Sequence, residues 1–291
     1  MVLEGRGYFI PSSPELDQRI FKGSILVLPV VSLGNVPQLA VDLMIHGPHL
    51  GPIEKVGMLD SKDHIPVIGA IDHPVGLPQS QHVLNQVTTP IQVYQTRDKR
   101  YTFVQQRSPV IKARKHSHLE SMKEWISAAG FDSVLVLVSV DGATRSDAHL
   151  RHPSPFFHYV PSHKLERETI ISRVIKNKYA SFVAKDDSDV PIFSAGGLAS
   201  RLLSALTSSS AQDPPSVQVN SLVVYVAEGD NRIDAKLLAC EILSLFNHIR
   251  SDLDGHGEAD IPTLSLDAWP EPLSWKASDT YQNQTRQDLF G

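Results

Sequence analysis

One cysteine, Cys240, stands alone in 291 residues, so an intrachain disulfide and a cysteine-built zinc site are both excluded. That usage leans toward a reducing compartment, and cytoplasm and nucleus are the expected locations. A basic excess is missing too. Lys and Arg number 27 against 32 Asp and Glu, and the net charge of −5 counts against a nucleic-acid partner. The densest basic run, Lys112-Ala113-Arg114-Lys115, reads as the solvated start of a helix. No apolar stretch approaches the roughly 18 residues of a membrane span, so no membrane partner is expected. Met1 to Asp17 carries Glu4, Glu15, Asp17 and two prolines, which does not suit the apolar stretch of a secretory signal. Catalytic signatures are absent as well: there is no Gly-x-Ser-x-Gly, Gly-x-x-x-x-Gly-Lys-Ser/Thr, His-Glu-x-x-His or Gly-x-Gly-x-x-Gly. Gly5-Arg6-Gly7 and Gly255-His256-Gly257 lack the strand and helix that a phosphate loop needs. No catalytic residue, metal ligand or cofactor site is assigned, and no tight binding of nucleotides, nucleosides or metals is expected.

What is present is the composition of an ordinary folded protein, 41% hydrophobic and 20% charged. Ile25 to Val31 is a continuous, β-branched-rich apolar run, the pattern of a strand buried on both faces. Ser32-Leu33-Gly34-Asn35 is a tight turn, and Asn35 or Val36 sits where a helix N-cap belongs, with Pro37 in the first turn. Val36, Leu39, Ala40, Leu43 and Met44 follow at helical spacing, and Gly47 is placed as the C-terminal cap. Val41 and Ile45 lie off that stripe, so this helix must be covered on several sides.

Further along, 54–60 and 66–72 read as short strands, and Ile91–Thr96 with Tyr101–Gln106 as an antiparallel hairpin. His116 to Gly130 is an amphipathic helix with Leu119, Met122, Trp125, Ile126 and Ala129 on one face. Strands are predicted over 134–140 and 222–226, and helices over 197–206 and 232–249, the last capped by Asp230 or Asn231. The region 143–165 reads as loop, with Phe156, Phe157 and Tyr159 clustered among prolines; 207–216 and 251–260 also read as loops. Alternating strands and helices predict one α/β domain over residues 1–275: a mixed, largely parallel sheet with helices on both faces and one inserted hairpin. Residues 276–291 are expected to form a flexible polar tail.

Asp60, Asp63 and Asp72 lie at or just after strand ends, where carboxylates can do acid–base work or bind magnesium. Their commoner role is to solubilise loops. His116 and His118 are close enough to share a zinc site but sit at an exposed basic helix start. Gly196-Gly197-Leu198 could present backbone N–H groups to an anion, or simply form a turn. Glu228-Gly229-Asp230-Asn231 reads as a turn plus cap, and Cys240 as a packed small side chain.

The block Leu26, Pro29, Val31, Ser32, Gly34, Asn35, Gln38, Leu39, Ala40, Asp42, Leu43 resembles the proteasome assembly chaperone 2 family. Gly196-Gly197-Leu198, Val226-Ala227-Glu228-Gly229-Asp230-Asn231 and Pro272-Leu273-Ser274-Trp275-Lys276 agree with the same family in order. The resemblance implies a fold similar to nucleoside phosphorylases and a non-enzymatic chaperone for assembly of the 20S proteasome core particle. It implies a heterodimer with proteasome assembly chaperone 1 that binds the α-ring and requires no cofactor. Proteins that dock on that ring commonly end in a hydrophobic residue, a tyrosine and any residue. Leu289-Phe290-Gly291 fits with phenylalanine in place of tyrosine, and the terminal carboxylate would pair with a lysine of the ring. The alternative is a phosphorylase-like or ATP-dependent ligase-like enzyme on the same fold, using the aspartates above.

Overall fold

Apolar residues alternate in and out along the three strands at the centre of the molecule, and that alternation builds two cores. The computed structural model describes residues 8–70, 72, 87–161, 168–182, 190–193, 197–207, 217–253 and 264–275. Its strands are β1 (Phe9–Pro11), β2 (Ile25–Pro29), β3 (Ile53–Leu59), β4 (Gly69–Ala70), β5 (Val87–Thr88), β6 (Ile91–Thr96), β7 (Tyr101–Gln106), β8 (Ser133–Asp141), β9 (Phe156–Tyr159), β10 (Ala180–Ser181) and β11 (Gln218–Val226). The helices are α1 (Val36–His46), α2 (Lys115–Ala129), α3 (Asp147–Leu150), α4 (Ile170–Lys178), α5 (Gly197–Thr207) and α6 (Arg232–Leu253).

Nine strands form one sheet in the order β1-β3-β6-β7-β2-β8-β11-β9-β10, and β4 and β5 pair in a small ladder of their own. The centre, β7-β2-β8-β11, is parallel, with Val27 opposite Leu135 and Val134 opposite Val219. Antiparallel pairings flank it: β1, β3, β6 and β7 on one side, β9 against β11 on the other. Leu26, Leu28, Val134, Val136 and Val138 point to the face covered by α2 and α5. Ile25, Val27, Leu135, Leu137, Leu222 and Val224 point to the face covered by α1, α4 and α6. One residue of slip in β8 would exchange those two sets, so two differently filled cores fix the register.

The predicted hairpin has the observed boundaries. Lys99 at φ 60° turns the chain, and the Asp98 carboxylate accepts from the Thr96 hydroxyl at 2.7 Å. Helix α2 ends on Gly130 at φ 73°, the left-handed conformation expected of a glycine cap. Gly47 differs. It follows α1 in extended conformation and caps it through its N–H on the Leu43 carbonyl at 2.7 Å.

Other departures have physical reasons. Among the described residues the strand expected over 66–72 shrinks to Gly69–Ala70, which pairs with the two-residue β5. Phe156 to Tyr159, read as part of a loop, pairs with β11 as β9. α4 lies in a stretch given no element from the sequence, and α6 runs four residues beyond its predicted end to Leu253. The all-round apolar α1 is covered inside the chain: Val36, Ala40, Val41, Leu43, Met44 and Ile45 are all buried in the core it shares with α6. Gly196, the loop over 208–216 and the tail 276–291, with Leu289, Phe290 and Gly291, lie outside the described residues.

Gly34 sits where two separated sequence blocks meet. Its φ is 64°, and a Cβ added there would lie 2.2 Å from Nδ2 of Asn231. That amide is itself held, donating to the Gly229 carbonyl at 2.9 Å, in the turn before α6. Gly34→Ala is therefore expected to cost about 1–3 kcal/mol through backbone strain and displacement of Asn231. Thermal unfolding checks this, and an unchanged melting temperature would show that the turn accommodates a side chain.

Candidate functional site

The carboxyl ends of β2 and β7 lie on the same side of the sheet, because the two strands are parallel. Between them and the first turns of α1 opens a cleft of about 760 Å³. In doubly wound folds this end of the sheet is where ligands enter. Val31 and Asn35 come from the β2–α1 turn, Gln38 and Asp42 from one side of α1, and Gln105 to Pro109 from β7 and its exit. Val67, Gly69, Ala70 and Asp72 line the other wall, and Leu273 with Ser274 the far rim.

Charge in the cleft is concentrated in one buried pair. The Asp42 carboxylate is 4% exposed and takes both guanidinium arms of Arg107, Nη2 at 2.7 Å and Nη1 at 3.1 Å. Gln105 Nε2 adds a third donor to Asp42 at 2.5 Å and also reaches the Gln38 carbonyl at 3.0 Å. Burial is the largest single influence and works against the Arg107 charge, but Asp42 together with Tyr94 and Asp72 offsets it and holds the guanidinium above its usual range. Burial also pushes the Tyr94 phenol up to about 12, so that ring stays neutral. Gln38 on the adjacent turn of α1 is as buried as its neighbours, yet neither end of its side-chain amide has a partner.

The far rim is strapped down. The Ser274 N–H donates to Asp72 Oδ1 at 3.1 Å and its hydroxyl to Oδ2. Glu271 pairs with Lys236 Nζ at 2.7 Å, and Trp269 packs against His49 and donates its indole N–H to the Cys240 sulfur at 3.0 Å. The blocks that run from Leu26, from Val226 and from Pro272 in the sequence thus all converge on α1 and the turns around it.

Of the aspartates singled out in the sequence, Asp60 and Asp63 both lie near Tyr8 and His64, and Asp72 lies apart from them at the cleft. Asp60 is half exposed and holds the Lys62 N–H at 3.1 Å, and Asp72 serves the strap. Asp63 is buried, where it accepts from the Ser117 hydroxyl at 3.0 Å with Arg114 3.5 Å away. Among the described residues no three His, Cys, Asp or Glu side chains are arranged to hold a metal ion. His118 overturns its reading as exposed. It is 4% exposed, edge-on to His64 at 4.9 Å, with the Tyr8 hydroxyl 3.4 Å from Nδ1. Burial, helped by His64 and opposed by Asp63, pulls the His118 imidazole down to about 4, so it is neutral near pH 7. Burial pushes the Cys240 thiol up, and it does not offer a thiolate. Asp230 caps α6 by accepting from the Arg232 N–H at 3.2 Å.

Sequence reasoning gave Gln38 and Asp42 only a place in a block, and it gave Gln105 and Arg107 no role. A signal was available: Gln38 and Asp42 stand four apart on a helix that is otherwise apolar, which puts both on one buried face.

The profile of the PAC2 family matches residues 26–228. A zebrafish (Danio rerio) protein named Proteasome assembly chaperone 2 is 30% identical over 262 residues, which are 88% of this chain and 91% of that protein. The human protein of the same name is 28% identical over 278 residues, covering 92% of this chain and 95% of the other. In solved structures, Pyrococcus furiosus PbaA, described as an archaeal homolog of proteasome-assembly chaperone, superimposes with a TM-score of 0.52 at 11% identity, covering 96% of this chain and 95% of that one. A Thermoplasma acidophilum protein of unknown function gives the same TM-score at 14% identity, over 95% and 94% of the two chains.

Proposed function

The chain belongs to the PAC2 family, and from that membership we propose that it is a non-enzymatic chaperone of proteasome assembly. The observation that carries the reading is the end-to-end likeness to relatives named for that role, over about nine-tenths of both chains. In finer form, the chain pairs with proteasome assembly chaperone 1, and the heterodimer holds the α-ring of the 20S core during its assembly in cytoplasm and nucleus. Residues 1–275 form the folded unit in this reading, and 276–291 the tail that carries Leu289-Phe290-Gly291 to the ring.

Since α1 is covered within the chain, its apolar character does not itself argue for a partner. An apolar group on the surface does support one: Ile65, Val67, Ile68 and Val87 are each more than 40% exposed beside the cleft. Four exposed apolar side chains within and opposite the short β4–β5 ladder region suit a protein interface. Each aspartate of the enzyme alternative is already engaged, Asp60 with the Lys62 N–H, Asp63 with Ser117 and Arg114, and Asp72 with Ser274, which favours the chaperone reading over it.

Affinity purification with mass spectrometry tests the proposal. The full chain should capture proteasome α subunits without any added ligand, and a chain ending at Asp288 should capture them weakly. Burying an aromatic side chain contributes about 1.5–3 kcal/mol, so Phe290→Ala should weaken the ring contact roughly ten- to a hundred-fold. One residue added after Gly291 should be as damaging as deletion, because it displaces the carboxylate, whereas Phe290→Tyr should bind at least as well. The comparison needs the partner's own tail removed, since avidity masks the loss of one of two contacts. Equal α-ring affinity of the intact and extended chains in that background would show that the tail is no anchor.

A further inference from the structure

We propose that the chain, before it meets a partner, holds its own Leu289–Phe290 pair in the cleft between β2, β7 and α1, so that the segment assigned above to the α-ring is covered until the ring takes it. The docking is a property of this chain alone, whereas its consequence for the ring rests on the chaperone reading. The described fold stops beside this cleft. Leu273 and Ser274 line it, and the Ser274 N–H and hydroxyl are both held by Asp72, another lining residue. Trp275 is 6% exposed, in the core shared by α1 and α6. That strap and that buried ring fix the start of the following segment at the cleft. Sixteen residues follow, 276–291, and their one adjacent pair of large apolar side chains is Leu289–Phe290. Residues 276–289 separate Trp275 from Phe290, an extended reach of about 46 Å at roughly 3.3 Å per residue, which is ample for turning back. A pair tethered so closely meets the cleft at an effective concentration in the millimolar range, so a weak contact suffices to fill it.

The cleft suits this occupant. Val31, Val67, Ala70, Pro109 and Leu273 supply apolar lining. Two of them stand open to water, Val67 at 42% and Leu273 at 46% exposure, and apolar surface gathered at a concavity marks a binding site. Each charged lining residue is already held, Asp42 by Arg107 and Asp72 by Ser274, so an apolar pair strands no charge there. The volume of about 760 Å³ lies within the roughly 300–1,000 Å³ usual for binding clefts, enough for two large side chains and the backbone between them. A smaller groove of about 320 Å³ runs between α2 and α5 beside the exposed Ile192. It lies across the sheet: Trp275 belongs to the core under α1, α4 and α6, whereas α2 and α5 cover the opposite face. To reach that groove the segment would have to round the edge of the sheet, so the cleft is the nearer site.

Methyl and aromatic NMR on the full chain, with labelled Leu, Val and Phe and no partner present, tests the docking. Nuclear Overhauser contacts should join the Phe290 ring to methyls of Val31, Val67 or Leu273. Phe290→Ser should abolish them and shift those methyls, and because it alters no residue of the cleft its effect reads occupancy. Leu273→Asn, at a half-exposed rim position, should release the pair and return the Leu289 methyls to the shifts of a free peptide. On isolated α-rings Leu273→Asn should then bind about three- to tenfold tighter than the intact chain, as expected if the pair is undocked in only about a third to a tenth of molecules. Free-peptide shifts for Leu289 in the intact chain would overturn the proposal. Contacts that fade on dilution would also overturn it, since they would place the pair of a second copy in the cleft. Equal ring affinity of Leu273→Asn and the intact chain, with the contacts present, would overturn the covering role. Failure of every variant to bind α-rings while the contacts persist would remove the chaperone reading and leave the docking standing.

Discussion

Replacing Arg107 with methionine is expected to destabilise the fold by about 3–5 kcal/mol, the usual cost of stranding one member of a buried ion pair. Asp42, 4% exposed in the intact chain, would be left with a single donor, Gln105 Nε2, where three donors now hold it. α1 packs against α6 and the sheet over most of its circumference, so it cannot tilt to bring the carboxylate to water without opening the core around Val41, Leu43 and Met44. The double variant Asp42→Leu with Arg107→Met removes both charges together and should recover most of the loss, because the pair's attraction barely exceeds the cost of drying its two members. Urea denaturation of the two single variants and the double variant measures this directly. A loss below about 1 kcal/mol for Arg107→Met would mean that water reaches the pair and that it acts as a surface bridge. A double variant as damaged as the singles would show that the site needs the charges for its shape.

That pair also marks where the sequence stops being informative. The apolar run of Val134 to Val140, the stripe of α2 and the charged turn of the β6–β7 hairpin are local patterns, and each appears in the structure as predicted. The pairing of Asp42 with Arg107 spans 65 residues and depends on β7 lying parallel to β2, which no local pattern states. Other misses were legible. Ile170, Ile171, Val174 and Ile175 have the spacing of an amphipathic helix, and α4 buries Ile171 and Ile175. His118 stands on the same stripe as Met122, Trp125 and Ala129, four, seven and eleven residues on, so its burial followed from a periodicity that was read for its neighbours alone. Phe156 to Tyr159 is a strand because β11 offers it an edge. Prolines at 153, 155 and 161 were a sound reason to expect a loop from the chain alone.

His118 supplies the other large expected effect, a loss of stability in acid. In the unfolded chain a histidine titrates near 6.5, while in the fold burial first, and then His64, pull His118 down to about 4 against the opposing pull of Asp63. Between those values the unfolded state binds the proton and the folded state does not. The contribution is therefore complete above pH 6.5, shrinks as pH falls, and is gone below about 4, for a total of about 3 kcal/mol. Burial lowers His64 in the same direction, and the two rings at 4.9 Å disfavour each other's protonation. The groups around them are Tyr8, Asp60 and Asp63, with Ser117 and Arg114 beyond, so protonation would strain the packing of the β1 approach and the β3 exit against α2. Urea midpoints at pH 7, 5.5 and 4.5 should fall together with pH for the intact chain. They should fall much less for His118→Phe, which keeps an aromatic ring in place and removes the titration. Carboxylates elsewhere are common to both chains and cancel in the difference. The imidazole resonance of His118 gives a second, direct reading: it should remain that of a neutral ring down to near pH 4. A midpoint of titration near 6.5, or equal acid slopes for the two chains, would place His118 in contact with water and remove the effect.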